Sequence, residues 1–287
     1  VQTGYVRNYG FEAMLSYGHR WGDFSWDSSF TFSANKNEIV ELVKDYVHPE
    51  TGKTYNVDKL ELKTDEGRGF GKAKFILKEG GTLGDLYTHA DLKRDINGNV
   101  LIDDSGNVTA IDNAGDIKLG SVLPKANLAW NNSFSYKGIN AGFLLTARLG
   151  GIVYSATQAY LDLYGVSETS AAARDAGGVW INGRSRVNPQ SFYEVVASQS
   201  GLPTYYTYSA TNLRLQEAHI GYTVPRRWLG NVCDINVSLV GRNLWMIYCK
   251  APFDPEAVAT TNNYYQGIDY FMMPSTRNIG FNIKINF

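Results

Sequence analysis

The sequence predicts an all-β fold: a transmembrane antiparallel β-barrel, of which this chain supplies a C-terminal arc. Three observations carry that prediction. The first is the stretch Thr276 to Phe287, TRNIGFNIKINF. Ile279, Phe281, Ile283, Ile285 and Phe287 alternate with Asn278, Gly280, Asn282, Lys284 and Asn286, so a strand here has one apolar and one polar face. The second is strand length: the clearest alternating runs hold about ten residues, where ~5–6 is usual in globular sheets and ~9–11 span a bilayer. The third is that connections alternate between short and long. In an up-and-down barrel that places every long connection on one rim and every tight turn on the other.

Bulk properties agree. The chain has 287 residues, 44% hydrophobic and 19% charged, which is enough apolar material for an ordered fold. A formal net charge of −1 argues against a nucleic-acid partner. No run approaches the ~18–20 apolar residues of a spanning helix, but barrel strands carry only a weak hydropathy signal. Cys233 and Cys249 fall at opposite ends of one expected strand, roughly 50 Å apart at ~3.3 Å per residue, so they are expected as free thiols. Val1 opens the chain without a signal peptide, and a processed or truncated start is expected.

Phe11, Ala13, Leu15 and Tyr17 share one face of the first strand, against Glu12, Met14, Ser16 and Gly18. After a turn at Trp21-Gly22-Asp23, Phe24, Trp26, Phe30 and Phe32 alternate with Ser25, Asp27, Ser29, Thr31 and Ser33. Residues 35–69 lose the alternation and read as a long loop. Strands are then expected at Phe70–Lys78 and Thr82–Ala90 across Glu79-Gly80-Gly81, followed by a second loop, 91–125. Ala126, Leu128, Trp130, Phe134 and Tyr136 form one face of the next strand. Beyond Lys137-Gly138, Ile139, Ala141, Phe143, Leu145, Ala147 and Leu149 continue it. A third loop covers 150–211. In the strand Asn212 to Val224, Ala218, Ile220, Tyr222 and Val224 are in phase while Leu213 and Leu215 are not, which predicts a bulge near Gln216-Glu217. A short connection leads to Ile235, Val237 and Leu239, and a fourth loop, 249–275, to the final strand.

Trp21, Trp228 and Phe287 all fall on the short-turn rim, where an interfacial aromatic girdle belongs. The count is about nine strands. An odd count leaves an open edge that lipid cannot satisfy, so residues 1–287 are expected to be part of a larger barrel.

Several stretches resemble one family. YLDLYGVSETSAAARDAGGVWINGR (160–184), ATNLRLQEAHIGYTVPRRW (210–228), GRNLWMIYCKAPFDPE (241–256), GIDYFMMPSTRNIGFNIKINF (267–287) and SANKNEIVEL (33–42) are similar to the SusC/RagA family of TonB-dependent outer-membrane transporters, in order and over nearly the whole chain. The resemblance implies a barrel of about 22 strands with an N-terminal plug that is not in this sequence. It also implies import of oligosaccharides or peptides driven through the TonB complex, a SusD-like surface lipoprotein as lid, and residence in the outer membrane of a Gram-negative bacterium. The alternative is a surface binding or adhesion protein without active uptake.

Import makes and breaks no bonds, so candidate residues are binding groups on long loops. Trp180, Tyr205, Tyr206, Tyr208, Tyr264, Tyr265 and Tyr270 offer ring faces and polar handles. Arg184 and Arg186 offer bidentate donors. Loop packing and solvation are the plain alternatives for both sets. Asp95, Asn97 and Asn99, followed by Asp103, resemble the start of a calcium loop, but Val100 stands where Gly is needed and Gly106 where an acid is needed. A turn at Asn97-Gly98 is therefore preferred, and no cofactor is expected. No enzyme is expected either: the four His show no metal spacing, and His219 with Ser238 is only a coincidence of register. Phe287 is expected to mark the chain end for barrel assembly. In the full-length protein Phe287→Ala should lower the yield of folded barrel, read from its level in the outer membrane.

Overall fold

The computed structural model describes residues 4–62, 70–259 and 266–286. Its largest unit is an antiparallel wall of seven strands: β1 (Tyr5–Trp21), β2 (Phe24–Glu41), β3 (Ala126–Tyr136), β4 (Ile139–Leu149), β5 (Asn212–Val224), β6 (Asp234–Cys249) and β7 (Asn278–Asn286), adjacent in sequence order. The turns 22–23, 137–138 and 225–233 lie on one rim and the connections 42–125, 150–211 and 250–277 on the other. At the tightest turn Lys137 and Gly138 both have positive φ, 46° and 91°, as a two-residue hairpin whose twist matches its strands requires.

Register sorts side chains into rows. Trp21, Phe24, Tyr136, Ile139, Tyr222 and Val237 lie level across six strands beside the short turns, and Trp228 stands exposed on the same rim. This is the expected girdle; Phe287 lies outside the described residues. Above it run His19, Trp26, Phe134, Ala141, Ile220, Leu239 and Phe281. Ser28 and Asn132 also lie on this face and each accepts from an indole: the Trp26 N–H donates to Asn132 Oδ1 (3.0 Å) and that of Trp130 to Ser28 Oγ (3.0 Å), while Asn132 Nδ2 is buried without a partner among the described residues. The register shifts between Leu215 and Glu217, so the bulge falls at Gln216 as the phase change predicts.

The fold class stands, but the wall differs from expectation in two ways. First, β2 pairs directly with β3. The stretches expected as wall strands at 70–78 and 82–90 do form strands, Ala73–Lys78 and Asp85–Thr88, but in a separate four-stranded sheet with Lys59–Glu61 and Ile117–Ser121. Phe75 and Ile76 are both buried, as are Leu86 and Tyr87, so neither strand has a face to give to lipid. Second, β1 and β2 run on to the pair Tyr5–Glu41. The 18 residues of β2 exceed the roughly 9–11 that span a bilayer, and the charges that suggested a loop lie on its upper part, where Arg7 Nη2 reaches Glu38 Oε2 at 3.2 Å.

The long connections are not loose. Phe75 and Leu86 from the first, Tyr154, Phe192 and Leu202 from the second, and Ile268 from the third share one hydrophobic core and form a folded cap. Ile152–Ser155 pairs with Thr207–Ser209 antiparallel and with Ile268–Asp269 parallel, joining the second and third connections. Four helices lie in the second: α1 (Ala156–Leu163), α2 (Glu168–Asp175), α3 (Pro189–Val196) and α4 (Pro203–Tyr206). Ser155, Ser167 and Asn188 cap the first three, each side chain accepting from a backbone N–H of the first turn. Ser155 Oγ also donates to Asp269 Oδ2 (2.6 Å), so one cap residue fixes both a helix start and the third connection. Buried Asp162 accepts from Ser167 Oγ, from Gln158 Nε2 (3.0 Å) and from the Tyr206 hydroxyl (3.0 Å).

Candidate binding site on the inner wall

The second face of the wall is polar where the first is apolar. Glu12, Ser33, Asn127, Arg148 and Asn212 form one level row, and Met14, Thr31, Ala129, Thr146 and Arg214 the row beneath. All of these residues except Asn212 and Arg214 line a concavity of about 690 Å³ that Gln216 and Glu256 complete. Glu256 belongs to the third connection, which turns down against this face instead of standing away from it.

A charge network holds that segment. Arg214 Nη2 donates to Asp254 Oδ1 (2.8 Å) and Nη1 to Asp254 Oδ2 (3.2 Å), a bidentate fork, while Nη2 also lies 3.2 Å from Glu256 Oε2. Asn212 Nδ2 donates to Glu256 Oε1 (3.1 Å). Both members of the fork are nearly dry, with side-chain exposures of 6% and 10%. Burial by itself raises the Asp254 carboxyl, but hydrogen bonds from Arg214 and Ser275 outweigh it and hold the group below the usual carboxylate range. Next to it, Arg148 Nη2 donates to the Val122 carbonyl (2.8 Å), and Arg148 Nε is buried without a partner among the described residues. On the lower wall Arg242 Nε donates to Glu217 Oε2 (2.9 Å), so these inner charges include a pair as well as solvated groups.

The loop candidates separate into three groups. Trp180 and Arg186 face each other on the hairpin Val179–Ile181 and Ser185–Val187, the guanidinium 4.4 Å from the indole centroid, and Arg184 is exposed in the turn. Tyr205, Tyr206 and Tyr208 pack inward. Tyr206 is buried and its hydroxyl is engaged by Asp162, which leaves no ring face for a ligand. Tyr205 is half-buried against Phe192 (6.1 Å) and Tyr208 against Phe253 (5.5 Å), where burial pushes the Tyr208 phenol up to about 12. Tyr270 is exposed, tilted against Phe70 (4.6 Å) and edge-on to Phe271 (5.2 Å). Tyr264 and Tyr265 lie outside the described residues.

At Asp95 the structure has a turn. Asp95 Oδ1 accepts the backbone N–H groups of Asn97 (2.8 Å) and Asn99 (2.9 Å), and Gly98 N–H donates to the Asp95 carbonyl (3.0 Å). The same geometry recurs eight residues on, where Asp103 Oδ1 accepts from Ser105 and Asn107. His219 and Ser238 both face inward but stand diagonally, opposite Val240 and Gly221, and no hydrogen bond joins them among the described residues. Cys233 precedes β6 and Cys249 ends it, at opposite ends of one strand.

Asp254 and Glu256 were not among the candidates, although they sit in the family-like stretch 241–256. The signal was in APFDPE: two acids beyond a strand whose neighbour carries an inward Arg.

A wall with an apolar outer face, an aromatic lower rim, a polar inner face and a cored cap defines the chain's class as a transmembrane β-barrel arc. Comparison with known proteins narrows that class. No family model matches the chain. TonB-dependent receptor P3 of Formosa agariphila is 24% identical over 98% of this chain and 29% of its own length. TonB-dependent receptors P26 and P39 of the same organism are 25% and 23% identical, over 29% and 31% of their lengths. The chain thus spans about three-tenths of the curated relatives it matches. Two solved structures of the RagAB peptide importer, one in a closed-closed state, share its fold with TM-scores of 0.67 and 0.65 at 17% identity, over 99% of this chain and 29% and 30% of those chains. The resemblance read from the motifs stands: the chain is similar to TonB-dependent receptors along nearly its full length and carries the fold of a RagAB-type barrel.

Proposed function

We propose that the chain is the wall and extracellular cap of an active importer in the outer membrane of a Gram-negative bacterium. In this proposal it crosses the membrane repeatedly, carries oligosaccharides or peptides, and is energised through TonB. A SusD-like lipoprotein would close the mouth above the cap. The supporting observation is that the third connection is pinned by Arg214, Asp254 and Glu256 onto the polar inner wall. A binding or adhesion protein gains nothing from cap groups directed at its own lumen; a conduit does. Trp180, Arg184, Arg186 and Tyr270 then serve as the exposed cargo contacts, with Tyr205 and Tyr208 as supporting rings and Tyr206 as structure.

The test is uptake by the native bacterium, comparing wild type with strains lacking the full-length gene or TonB and supplying labelled glycans and peptides. Loss of one cargo class in both deletions is expected. Surface binding that is lost with the gene, while uptake stays intact, would replace the importer with an adhesion protein.

A further inference from the structure

The upper part of the β1–β2 hairpin has two faces, and the cap occupies one of them. On that side Asn37 Nδ2 donates to Asn8 Oδ1 (2.8 Å), Asn37 Oδ1 accepts the Leu83 N–H (2.7 Å), and Ile39, next in phase, is fully buried. The other side continues the outer face of the wall. From the pair Trp21–Phe24 up to Phe11–Ala34 that face holds no Asp, Glu, Lys or Arg on either strand. Ten residues at ~3.4 Å each and a tilt of ~45° rise roughly 24 Å, close to the ~25 Å apolar band of an outer-membrane barrel. The composition then changes at once. Tyr9 stands opposite Lys36 and Arg7 opposite Glu38. The first charge therefore lies roughly 5 Å above the last apolar pair, at the level of lipid headgroups.

Both cations lean on one ring. Lys36 Nζ lies 5.5 Å from the Tyr9 centroid and the Arg7 guanidinium carbon 5.9 Å, although the two stand on different strands. One carboxylate answers them: Glu38 Oε2 lies 3.2 Å from Arg7 Nη2 and 3.9 Å from Lys36 Nζ. Neither cation is covered, their side chains being 51% and 63% exposed. Exposed pairs of this kind add little to stability, so the strands do not depend on them. The acids of this face also stand higher than Lys36, Glu38 by one pair and Glu41, opposite Tyr5, beyond it. The positive end of the patch is the end next to the apolar band.

We propose that Arg7, Tyr9 and Lys36 bind the phosphate of an outer-leaflet lipid, whose acyl chains lie down the apolar face over Phe11 and Ala13. Arg supplies a planar fork for phosphate oxygens and Lys a point charge, while a tyrosine ring at this depth packs beside the headgroup. Cations just beyond an apolar span are the general means of holding anionic headgroups. The face runs without a break from charge to apolar band, so a ligand with a phosphate head and apolar chains covers both parts, which free phosphate does not. The proposal rests on the lipid-facing wall and is independent of what the protein imports.

The test is native mass spectrometry of the purified full-length protein in detergent, titrated with phosphorylated lipid A, the same lipid dephosphorylated, or inorganic phosphate. The phosphorylated lipid should bind saturably. Affinity should fall about tenfold or more for the dephosphorylated lipid and for the double variant Arg7→Gln with Lys36→Gln. Lys44→Gln, which removes an exposed cation from the separate hairpin Val43–Val47 and Thr54–Val57, should change nothing. Glu38→Gln, which removes the competing carboxylate, should tighten binding, and it carries the test alone if the double variant does not assemble. Equal affinity for the two lipids, an unchanged double variant, an equal loss in Lys44→Gln, or no tightening in Glu38→Gln would each overturn the proposal. Displacement of the lipid by an equal concentration of inorganic phosphate would leave a free-anion site and overturn the lipid assignment.

Discussion

Asp254→Ala should release the third connection from the inner wall at a cost of about 3–5 kcal/mol, the range for breaking one side of a buried ion pair. The cost arises because Arg214 stays in place, 6% exposed, with only the half-exposed Glu256 to answer its charge. Hydrogen exchange of the full-length protein should show residues 250–259 losing protection while the strands keep theirs. Changing both partners together, Arg214→Met with Asp254→Leu, should recover much of the loss, since no charge is then stranded. The same pair fixes a pH dependence. The folded carboxyl lies below its ordinary value of about 3.9. Its contribution is complete above that value and is lost only as pH falls through the lower folded one. Protection of 250–259 should therefore stay level between about pH 5 and 8 and collapse only in strong acid.

Tyr154→Ala should unfold the cap while sparing the wall. The side chain is fully buried where all three connections meet, and deleting a large core aromatic costs about 3–5 kcal/mol. Its hydroxyl donates to the Ser200 carbonyl (2.6 Å), and burial raises the phenol so that it keeps this proton at any ordinary pH. Tyr154→Phe, which removes only that bond, should cost about 1–3 kcal/mol. Limited proteolysis should nick the alanine variant within 150–211, while its barrel still resists unfolding on an unheated gel.

The wall was legible because lipid on one side and water on the other impose a period of two, and even the bulge at Gln216 was visible as a slip in that period. The cap was not legible by the same rule. Lys74 to Leu77 reads KFIL, with no alternation, because its strand is buried on both faces; Gly80-Gly81 suggested a hairpin in either setting. The helices do carry local signals, above all Asn188-Pro189 as N-cap and first-turn proline, and Ser155 and Ser167 as caps, but each helix is too short to show a clear 3.6-residue period. Of the candidate site, the aromatic residues could be named from sequence, but which of them face outward could not. Tyr205, Tyr206 and Tyr208 look alike to Tyr270 in composition, and only the packing of three distant connections sends the former inward.

The seven-strand wall should meet lipid on one face and water on the other. The most direct test is cysteine accessibility in the full-length protein in outer membranes, with Cys233 and Cys249 replaced by serine. Single cysteines would be placed in turn at Leu239, Ser238, Phe281 and Asn282, two cross-strand pairs that alternate between the faces. A membrane-impermeant maleimide should react at 238 and 282 and not at 239 and 281, and a lipid-dissolved reagent should show the reverse. Equal reaction of all four with the aqueous reagent would contradict the wall and make the sheet a soluble one.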